Sequence, residues 1–227
     1  MKNSRLRFFP IDSVVFLLLV AEFRNPFDKQ DRRAKTQEVQ ESWRRLRREF
    51  LEIVDFDEDA LDLAFDRSGS VSNRSSAERL NISASQASRK GRRAYFLLET
   101  GTLAKVIIAL LQREGDAVVR PGKPLHILES RDATYLVPLS NTSRQSLKST
   151  TWRTVAKFIR KHWDKIRSSD SDDEGVDSTL IAVWKSDDGL KVHIAGAVES
   201  REDAIALAKE RGVSELYDWA NRTPIQI

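Results

Sequence analysis

The side chains that most often perform catalysis are few in this sequence and widely separated. The chain has no cysteine, which excludes thiolate chemistry, disulfide bonds and cysteine-based zinc sites. Its three histidines, His126, His162 and His193, are too scattered to indicate a pair of metal ligands. The sequence also lacks a glycine-rich phosphate loop, a dinucleotide fingerprint and a G-x-S-x-G nucleophile elbow. We therefore predict no catalytic residue, no metal site and no cofactor.

One group of charged residues offers an enzyme as an alternative. Asp177 precedes Lys185, which falls on an expected strand, and Glu174 lies close to Asp177 in the sequence. This combination is loosely similar to a metal-dependent nuclease centre. The spacing is irregular, however, and the two acids fall in a serine-rich, acidic stretch over 168–177 that is typical of a linker. We expect a linker there and no nuclease activity.

Basic side chains are far more numerous, and one group of them follows a helical spacing. Apolar residues at 152, 155, 156, 159, 163 and 166 predict a helix over 152–167. Its opposite face carries five cations with Asp164 as the one acid: Arg153, Lys157, Arg160, Lys161 and Lys165. A face of one charge sign suits a polyanion such as nucleic acid. It is equally typical of a solubilising surface or of a dock for an acidic protein, and the sequence leaves these alternatives open.

A second basic region begins with the pattern AERLNISASQASR over 77–89. This segment resembles the core of the helix-turn-helix DNA-binding motif. In that motif an alanine is followed by Leu-Gly-Ile at the turn and by Ser-x-Ser-x-Val-Ser-Arg at the start of the recognition helix. Ala77 matches the small residue packed between the two helices. Leu80 and Ile82 match the apolar anchors of the turn.

The resemblance implies a particular DNA-contacting surface. Ser83 would cap the second helix, whose first turns would enter the major groove, with Gln86 reading adenine and Arg89 reading guanine. Further cations would extend this helix with charge suited to phosphates. The predicted nucleic-acid-binding residues of the segment are Ser83, Ser85, Gln86, Arg89, Lys90, Arg92 and Arg93.

Three residues depart from the family pattern. Asn81 replaces the usual turn glycine, although asparagine tolerates a left-handed backbone better than most residues. Ser76 stands where the first helix normally has an aliphatic side chain, and Ala87 is small for its core position. An ordinary helix–loop–helix within a bundle is therefore the alternative to a DNA-binding motif.

Charge is unevenly distributed along the 227 residues. Residues 71–169 hold 19 Lys and Arg against 7 Asp and Glu, whereas residues 170–227 hold 6 against 13. Opposite charges imply surfaces with different partners. We predict an α+β fold in two domains. Residues 1–169 would be mainly helical, with the helix-turn-helix-like centre and a small β element, and residues 170–227 would form a small acidic ββαβ module.

Hydrophobic periodicity predicts the elements of each part. Before Gly69 the chain reads as helix with short breaks, including a helix over 37–54 with apolar residues in heptad rhythm, and helical sequence continues to about Arg113. Short strands are expected next, followed by a loop over 141–151. In the last segment an Asp-Asp-Gly turn predicts a hairpin. The predicted strands cover 117–120, 125–128, 134–139, 180–184, 191–195 and a final stretch within 216–227, with a helix over 202–211.

An apolar run over 14–21 follows several basic residues. A run of this length is too short to cross about 30 Å of hydrocarbon, which needs about 20 residues. Asp12 and Glu22 flank the run, and no small-x-small cleavage site follows, which favours a buried first helix over a signal peptide. We therefore expect no membrane association and a cytoplasmic location.

These features predict a non-catalytic DNA-binding protein, either a regulator or a subunit of a nucleic-acid-processing complex. Duplex DNA is the expected partner, and the acidic C-terminal module is the expected site for protein partners. The alternative is a non-catalytic adaptor subunit, whose basic and acidic faces bind other proteins of a larger assembly. Salt-sensitive binding of the isolated protein to duplex DNA would distinguish the two.

Overall fold

The computed structural model describes residues 46–68, 72–121, 126–127, 135–141, 144–146, 151–168, 179–186 and 189–227. The chain divides into two compact units, Met1–Thr102 and Leu103–Ile227. The apolar run over 14–21, predicted to be a first helix, lies outside the described residues. The combination of helices with an antiparallel sheet confirms the α+β class at the coarse level.

The described part of the first unit is helical. Helix α1 is described over 46–53, α2 spans Glu58–Ser68, α3 spans Asn73–Leu80, and α4 spans Ala84–Glu114, of which the residues after Thr102 belong to the second unit. The apolar positions of α1 at 46, 50 and 53 are buried. The heptad spacing predicted for this helix therefore marks its packed face.

The turn between α1 and α2 places two side chains in an unusual backbone conformation. Asp55 and Phe56 have positive φ angles of 54° and 61°, a region that costs a bulky residue on the order of 1–3 kcal/mol. Two hydrogen bonds close the turn. The Phe56 N–H donates to the Leu51 carbonyl at 2.6 Å, and the Asp57 N–H donates to the Val54 carbonyl at 3.2 Å. These two main-chain hydrogen bonds therefore hold the strained backbone of Asp55 and Phe56 in place.

The second unit is built on one eight-stranded antiparallel sheet. Its strands are β1 Ala117–Arg120, β2 His126–Ile127, β3 Tyr135–Pro138, β4 Arg144–Ser146, β5 Leu180–Ser186, β6 Gly189–Val198, β7 Glu215–Asp218 and β8 Thr223–Gln226. The order across the sheet is β2-β1-β5-β6-β3-β7-β8, and β4 pairs with the first half of β6 while β3 pairs with its second half. The helices of this unit are α5 Trp152–Lys161, α6 Trp163–Ser168 and α7 Arg201–Glu210.

Strands β5 and β6 form the centre of the sheet. They pair from Leu180 opposite Ala195 to Ser186 opposite Gly189, and Gly189 has a φ angle of 113° that suits a hairpin turn. The hairpin predicted from the Asp-Asp-Gly sequence is confirmed by this register. Every residue over 180–184 is fully buried, so both faces of β5 are covered.

The sheet differs from the predicted C-terminal module in two respects. Residues 216–227 form the β7–β8 hairpin and not one strand, so the order there is ββαββ. The predicted division at residue 169 also separates strands that pair, because β1 bonds to β5 and β3 bonds to β6. A free module would leave long edges on both central strands, and the short strands that precede residue 169 cover those edges.

Two local predictions also need correction. Strand β4 lies within the segment expected to be a loop over 141–151, where pairing with β6 overrides a serine-rich, strand-poor sequence. The helix predicted over 152–167 is interrupted at His162, whose φ and ψ angles of −111° and 14° end α5. The apolar stripe nevertheless continues across the break, since Ile166 of α6 is buried.

One face of the sheet buries polar side chains among aromatic rings. Trp184 stacks on His193 with ring centroids 3.8 Å apart and on Tyr217 at 4.9 Å. The indole N–H of Trp184 donates to Glu215 (2.9 Å), and the Tyr217 hydroxyl donates to Asp116 (3.0 Å). Burial lowers the pKa of His193 to about 3. The imidazole is therefore neutral at physiological pH and packs as an aromatic ring.

Helix α4 is long and apolar enough to cross a membrane by length and composition alone. However, 61% of its most apolar 18-residue window is buried within the protein. A helix that the chain itself covers in this way has the character of a core helix.

Candidate nucleic-acid interface

Helices α3 and α4 meet at a turn of three residues, Asn81, Ile82 and Ser83. Asn81 has φ and ψ angles of 53° and 45°, the left-handed conformation that asparagine tolerates well. The Ile82 N–H donates to the Ala77 carbonyl at 3.1 Å, which closes the last turn of α3 as the chain changes direction. The left-handed turn expected at Asn81 is therefore confirmed.

A small apolar core holds these two helices to α2. Leu63, Ala77 and Ala87 are buried, and the partly buried Leu80 and Ile82 pack against them. The alanines let the helix backbones approach, while Leu80 and Ile82 fill the inside of the turn. Ala77, Leu80, Ile82 and Ala87 are the residues for which the resemblance to the helix-turn-helix motif implies a place in the core, and Leu63 of α2 packs with them.

Gly91 brings α4 close to α2. A Cβ atom at this position would lie 3.1 Å from the Leu63 carbonyl oxygen and 3.3 Å from the Leu63 Cβ. A Cβ at this position would therefore require α2 or α4 to shift by a few tenths of an ångström. No pattern in the sequence marks this glycine, because the need for it depends on a contact with a different helix.

A polar contact replaces the aliphatic residue that the motif usually has at position 76. The buried Ser76 hydroxyl donates to the Asp66 carboxylate of α2 at 2.7 Å, and the Arg79 guanidinium donates to the same oxygen at 2.5 Å. Hydrogen bonds to a charged group are about twice as strong as neutral ones. Asp66 thus joins α3 to α2 where apolar packing is missing, which explains how Ser76 is accommodated.

A reciprocal pair of hydrogen bonds fixes the start of α4. The Ser83 hydroxyl accepts the Gln86 N–H at 3.2 Å, and the Gln86 side-chain carbonyl accepts the Ser83 N–H at 3.0 Å. This arrangement is a capping box and confirms that Ser83 caps the second helix. That Gln86 reads adenine stays a prediction, and adenine would have to compete with the cap for its amide oxygen.

The outward face of the first three turns of α4 is basic. Ser85, Arg89, Arg92 and Arg93 are exposed, and their spacing of four, three and one residues places them on one side of the helix. The sequence contains no carboxylate between positions 78 and 99. This side of α4 therefore presents positive charge with no acidic residue of its own to offset it.

Lys90, also predicted to bind nucleic acid, contacts the start of α2. Its ammonium lies 2.9 Å from the Asp57 carboxylate and 3.6 Å from that of Asp59. Burial tends to raise the pKa of Asp57, but the hydrogen bond from the Ala60 N–H and the charge of Lys90 hold it below its ordinary value. Lys90 therefore ties α4 to α2, and much of its charge is offset within the protein.

The second predicted basic face lies on α5 and α6. Arg153, Lys157 and Lys161 are exposed on α5, whereas Arg160 is partly buried there and Lys165 is exposed on α6, after the break. The break ends the single continuous stripe that the spacing predicts. Four of the five cations remain exposed, which keeps this face basic.

Trp152, at the start of α5, is contacted by two cations. The Lys105 ammonium lies 5.5 Å from its ring centre, and the Arg153 guanidinium lies 4.9 Å from it. Cation–π contacts of this kind hold Arg153 against its own helix. Lys157 and Lys161 are therefore better placed than Arg153 to meet a polyanion.

The residues considered for catalysis do not form a centre in the described part of the chain. Lys185 is exposed on β5, while Asp177 and Glu174 lie outside the described residues. Burial, with the charges of Lys161 and Lys165, lowers the pKa of His162. Among the described residues, no group of three or more His, Asp or Glu side chains is arranged to hold a metal ion.

No protein-family model matches this chain, and no curated protein or solved structure shows significant similarity to it. Local geometry and charge are therefore the basis for assigning a function.

Proposed function

We propose that the protein binds duplex DNA through the first three turns of α4 and catalyses no reaction, acting as a regulator or as a subunit of a nucleic-acid-processing complex. One observation carries the proposal. A three-residue turn leads into a capped, packed helix whose outward side is basic and free of carboxylates. A basic side of this kind suits a polyanion, and the exposed first turns of a capped helix can present it to the major groove of duplex DNA.

The exposed side chains of α4 have distinct proposed roles. Arg89 lies in the second turn, where a recognition helix meets base edges, and its guanidinium would pair with O6 and N7 of guanine. Arg92 and Arg93, one turn further along, would contact phosphates, and Ser85 would contact the backbone or a base edge. Gln86 would act on the helix itself, by holding the cap.

Lys157 and Lys161 of α5 form a second proposed phosphate-contacting pair. They are exposed and four residues apart, on the side of α5 away from its buried residues. Phosphate contacts carry no sequence information. These two lysines would therefore strengthen binding to every duplex alike.

A titration of fluorescent duplex DNA with the purified protein, repeated at several salt concentrations, tests the proposal. Arg89→Ala should weaken binding to a selected duplex by about 1–3 kcal/mol, roughly 5- to 150-fold, with little effect on random duplex. Changing both Arg92 and Arg93 to Ala should weaken binding to all duplexes. It should also reduce the slope of log affinity against log salt by about 0.9 for each phosphate that the variant no longer neutralises.

Arg201→Ala is a matched control, because Arg201 is an exposed arginine on α7 in the acidic last part of the chain. It removes the same charge and should leave DNA affinity unchanged. Wild-type affinity in both the Arg89→Ala and the Arg92/Arg93 variants, with native thermal stability, would contradict the proposal and favour a protein–protein adaptor.

A further inference from the structure

Phe56 is the most exposed large apolar side chain among the residues that the structure describes. Its exposed fraction is 65%, and that of Ile227, the next, is 39%. The apolar residues just before it behave differently, since Ile53 and Val54 are buried. One exposed aromatic residue is ordinary by itself, so the setting of Phe56 decides whether it has a role.

The turn of residues 54–57, here called the Phe56 turn, carries the exposed ring on a hydrogen-bonded backbone. Asp55 and Phe56 have positive φ angles, and the turn is closed by main-chain hydrogen bonds on both sides. The Asp57 side chain accepts the Ala60 N–H at 2.9 Å and is paired with Lys90. Glycine or asparagine would suit this backbone better than phenylalanine. The fold thus keeps a phenyl ring in solvent at a position where it is unfavourable.

The segment around the Phe56 turn has more acids than bases. Residues 55–62 contain five Asp and Glu and no Lys or Arg, and Asp55, Glu58 and Asp59 are exposed. Two cations from other positions pair with this segment, Arg47 with Glu58 and Asp62 and Lys90 with Asp57 and Asp59. The remaining excess of negative charge repels phosphate groups and attracts cations. Nucleic acid and anionic lipid are therefore poor partners for this ring, and a basic protein is a good one.

We propose that the Phe56 turn docks a basic protein segment that carries an apolar face. The phenyl ring would insert into that face as a preorganised anchor, in the manner of aromatic residues at the centre of protein interfaces. The surrounding carboxylates would steer the basic partner and favour it over neutral ones. This surface differs from the basic side of α4, and its role does not depend on DNA binding.

The test uses the full chain and two synthetic probes, measured by fluorescence anisotropy. One is an amphipathic Lys/Leu peptide, and the other is a Lys/Ser peptide of equal charge. Phe56→Asn should weaken binding of the Lys/Leu peptide by about tenfold or more, as loss of an anchor does, and should leave binding of the Lys/Ser peptide unchanged. Phe56→Tyr, which keeps the ring, should bind like the wild type.

A second variant tests the charge separately. Asp55→Asn removes one carboxylate while keeping a residue that tolerates positive φ. It should therefore weaken the binding of both peptides by a small factor and lower the salt dependence of their affinity. Phe56→Asn should also raise the midpoint of thermal unfolding, because it relieves the backbone, which excludes misfolding as the cause of weaker binding.

Three outcomes would overturn the proposal. The first is no binding of the Lys/Leu peptide, or equal binding by wild-type and Phe56→Asn proteins. The second is a loss of DNA affinity in Phe56→Asn, which would place the ring against bases. The third is self-association of the wild type that Phe56→Asn abolishes, measured by analytical ultracentrifugation, which would make a second copy of the chain the occupant.

Discussion

The polar side chains that cap α4 lie at the surface and bond locally, whereas the polar pairs around Trp184 in the sheet are buried and bond across the fold. Ser83 and Gln86 are three residues apart and exposed. Trp184 and Glu215 are 31 residues apart, Tyr217 and Asp116 are 101 apart, and both pairs are buried. The local cap therefore leaves the cations of α4 at the surface, while the polar pairs around Trp184 contribute to the stability of the sheet.

The buried polar groups of the sheet unit are not all satisfied. Both ring nitrogens of His193 and the indole nitrogen of Trp219 have no hydrogen-bond partner within the described residues. Each such group costs about 1–3 kcal/mol. Aromatic packing around Trp184 must offset this cost, so the sheet unit should be sensitive both to loss of a ring and to protonation.

The largest expected effect is loss of the central ring. Trp184→Ala removes a fully buried indole that stacks on two rings and donates to Glu215. It should lower the free energy of unfolding by about 3–5 kcal/mol, measured by chemical denaturation. Lys157→Ala, at an exposed position, is the control and should have almost no effect. A loss below about 1 kcal/mol for Trp184→Ala would show that the aromatic face does not hold the sheet together.

The second-largest expected effect is a loss of stability of the sheet unit in acid. A histidine whose pKa falls from 6.5 to about 3 on folding contributes stability that is complete above pH 6.5 and is lost as the pH falls toward 3. Within this interval the loss is roughly 1.4 kcal/mol for each pH unit. Burial raises the pKa of Asp116, so this carboxyl acts in the opposite sense and reduces the total loss.

Comparison with His193→Phe isolates the histidine. Phenylalanine can keep the stacking on Trp184 but does not titrate, so its stability should fall less between pH 6.5 and pH 4. Denaturation curves at intervals of half a pH unit would measure the difference. Parallel curves for the two proteins would show that His193 does not bind fewer protons in the folded state.

The same contrast explains which features the sequence predicts. Ser83 as a cap, Asn81 in a left-handed turn and the apolar stripe of α5 all follow from neighbours within one or two helical turns, so spacing reveals them. The capping role of Gln86 belongs to this class too, because S-x-x-Q at a helix start is a readable pattern. The prediction that Gln86 reads adenine overlooks this pattern.

Contacts between distant segments leave no such pattern. Nothing in the local sequence shows that Asp66 receives Ser76 and Arg79, or that Gly91 lies against Leu63. The pairing of β1 with β5 likewise joins strands separated by about 60 residues, and long-range pairing of this kind depends on the whole fold. The predicted domain division at residue 169 rests on the distribution of charge and on an acidic linker, neither of which carries information about that pairing.

A smaller effect is expected at the turn of the helical unit. Asn81→Val places a β-branched residue at a φ angle of 53°, which should lower the free energy of unfolding by roughly 1–2 kcal/mol. Asn81→Gly keeps the conformation accessible and should stay close to the wild type. Thermal and chemical denaturation of both variants would measure this. Equal stability of the Val and Gly variants would mean that the turn is not left-handed in solution.

The smallest effect on stability should come from Gln86, whose hydrogen bonds to the cap are local and exposed. Its partner, the Ser83 N–H, is exposed, so water can replace the bond that Gln86→Ala removes, and the loss should be about 0.5 kcal/mol. Gln86→Glu keeps the capping box and should match the wild type in stability.

DNA affinity should separate the variants in the opposite order. Gln86→Ala should bind DNA nearly as well as the wild type. Gln86→Glu adds a negative charge beside Arg89 and should weaken binding to every duplex alike. A loss of about 1–3 kcal/mol in Gln86→Ala at one selected sequence only would instead show that Gln86 leaves the cap to read a base.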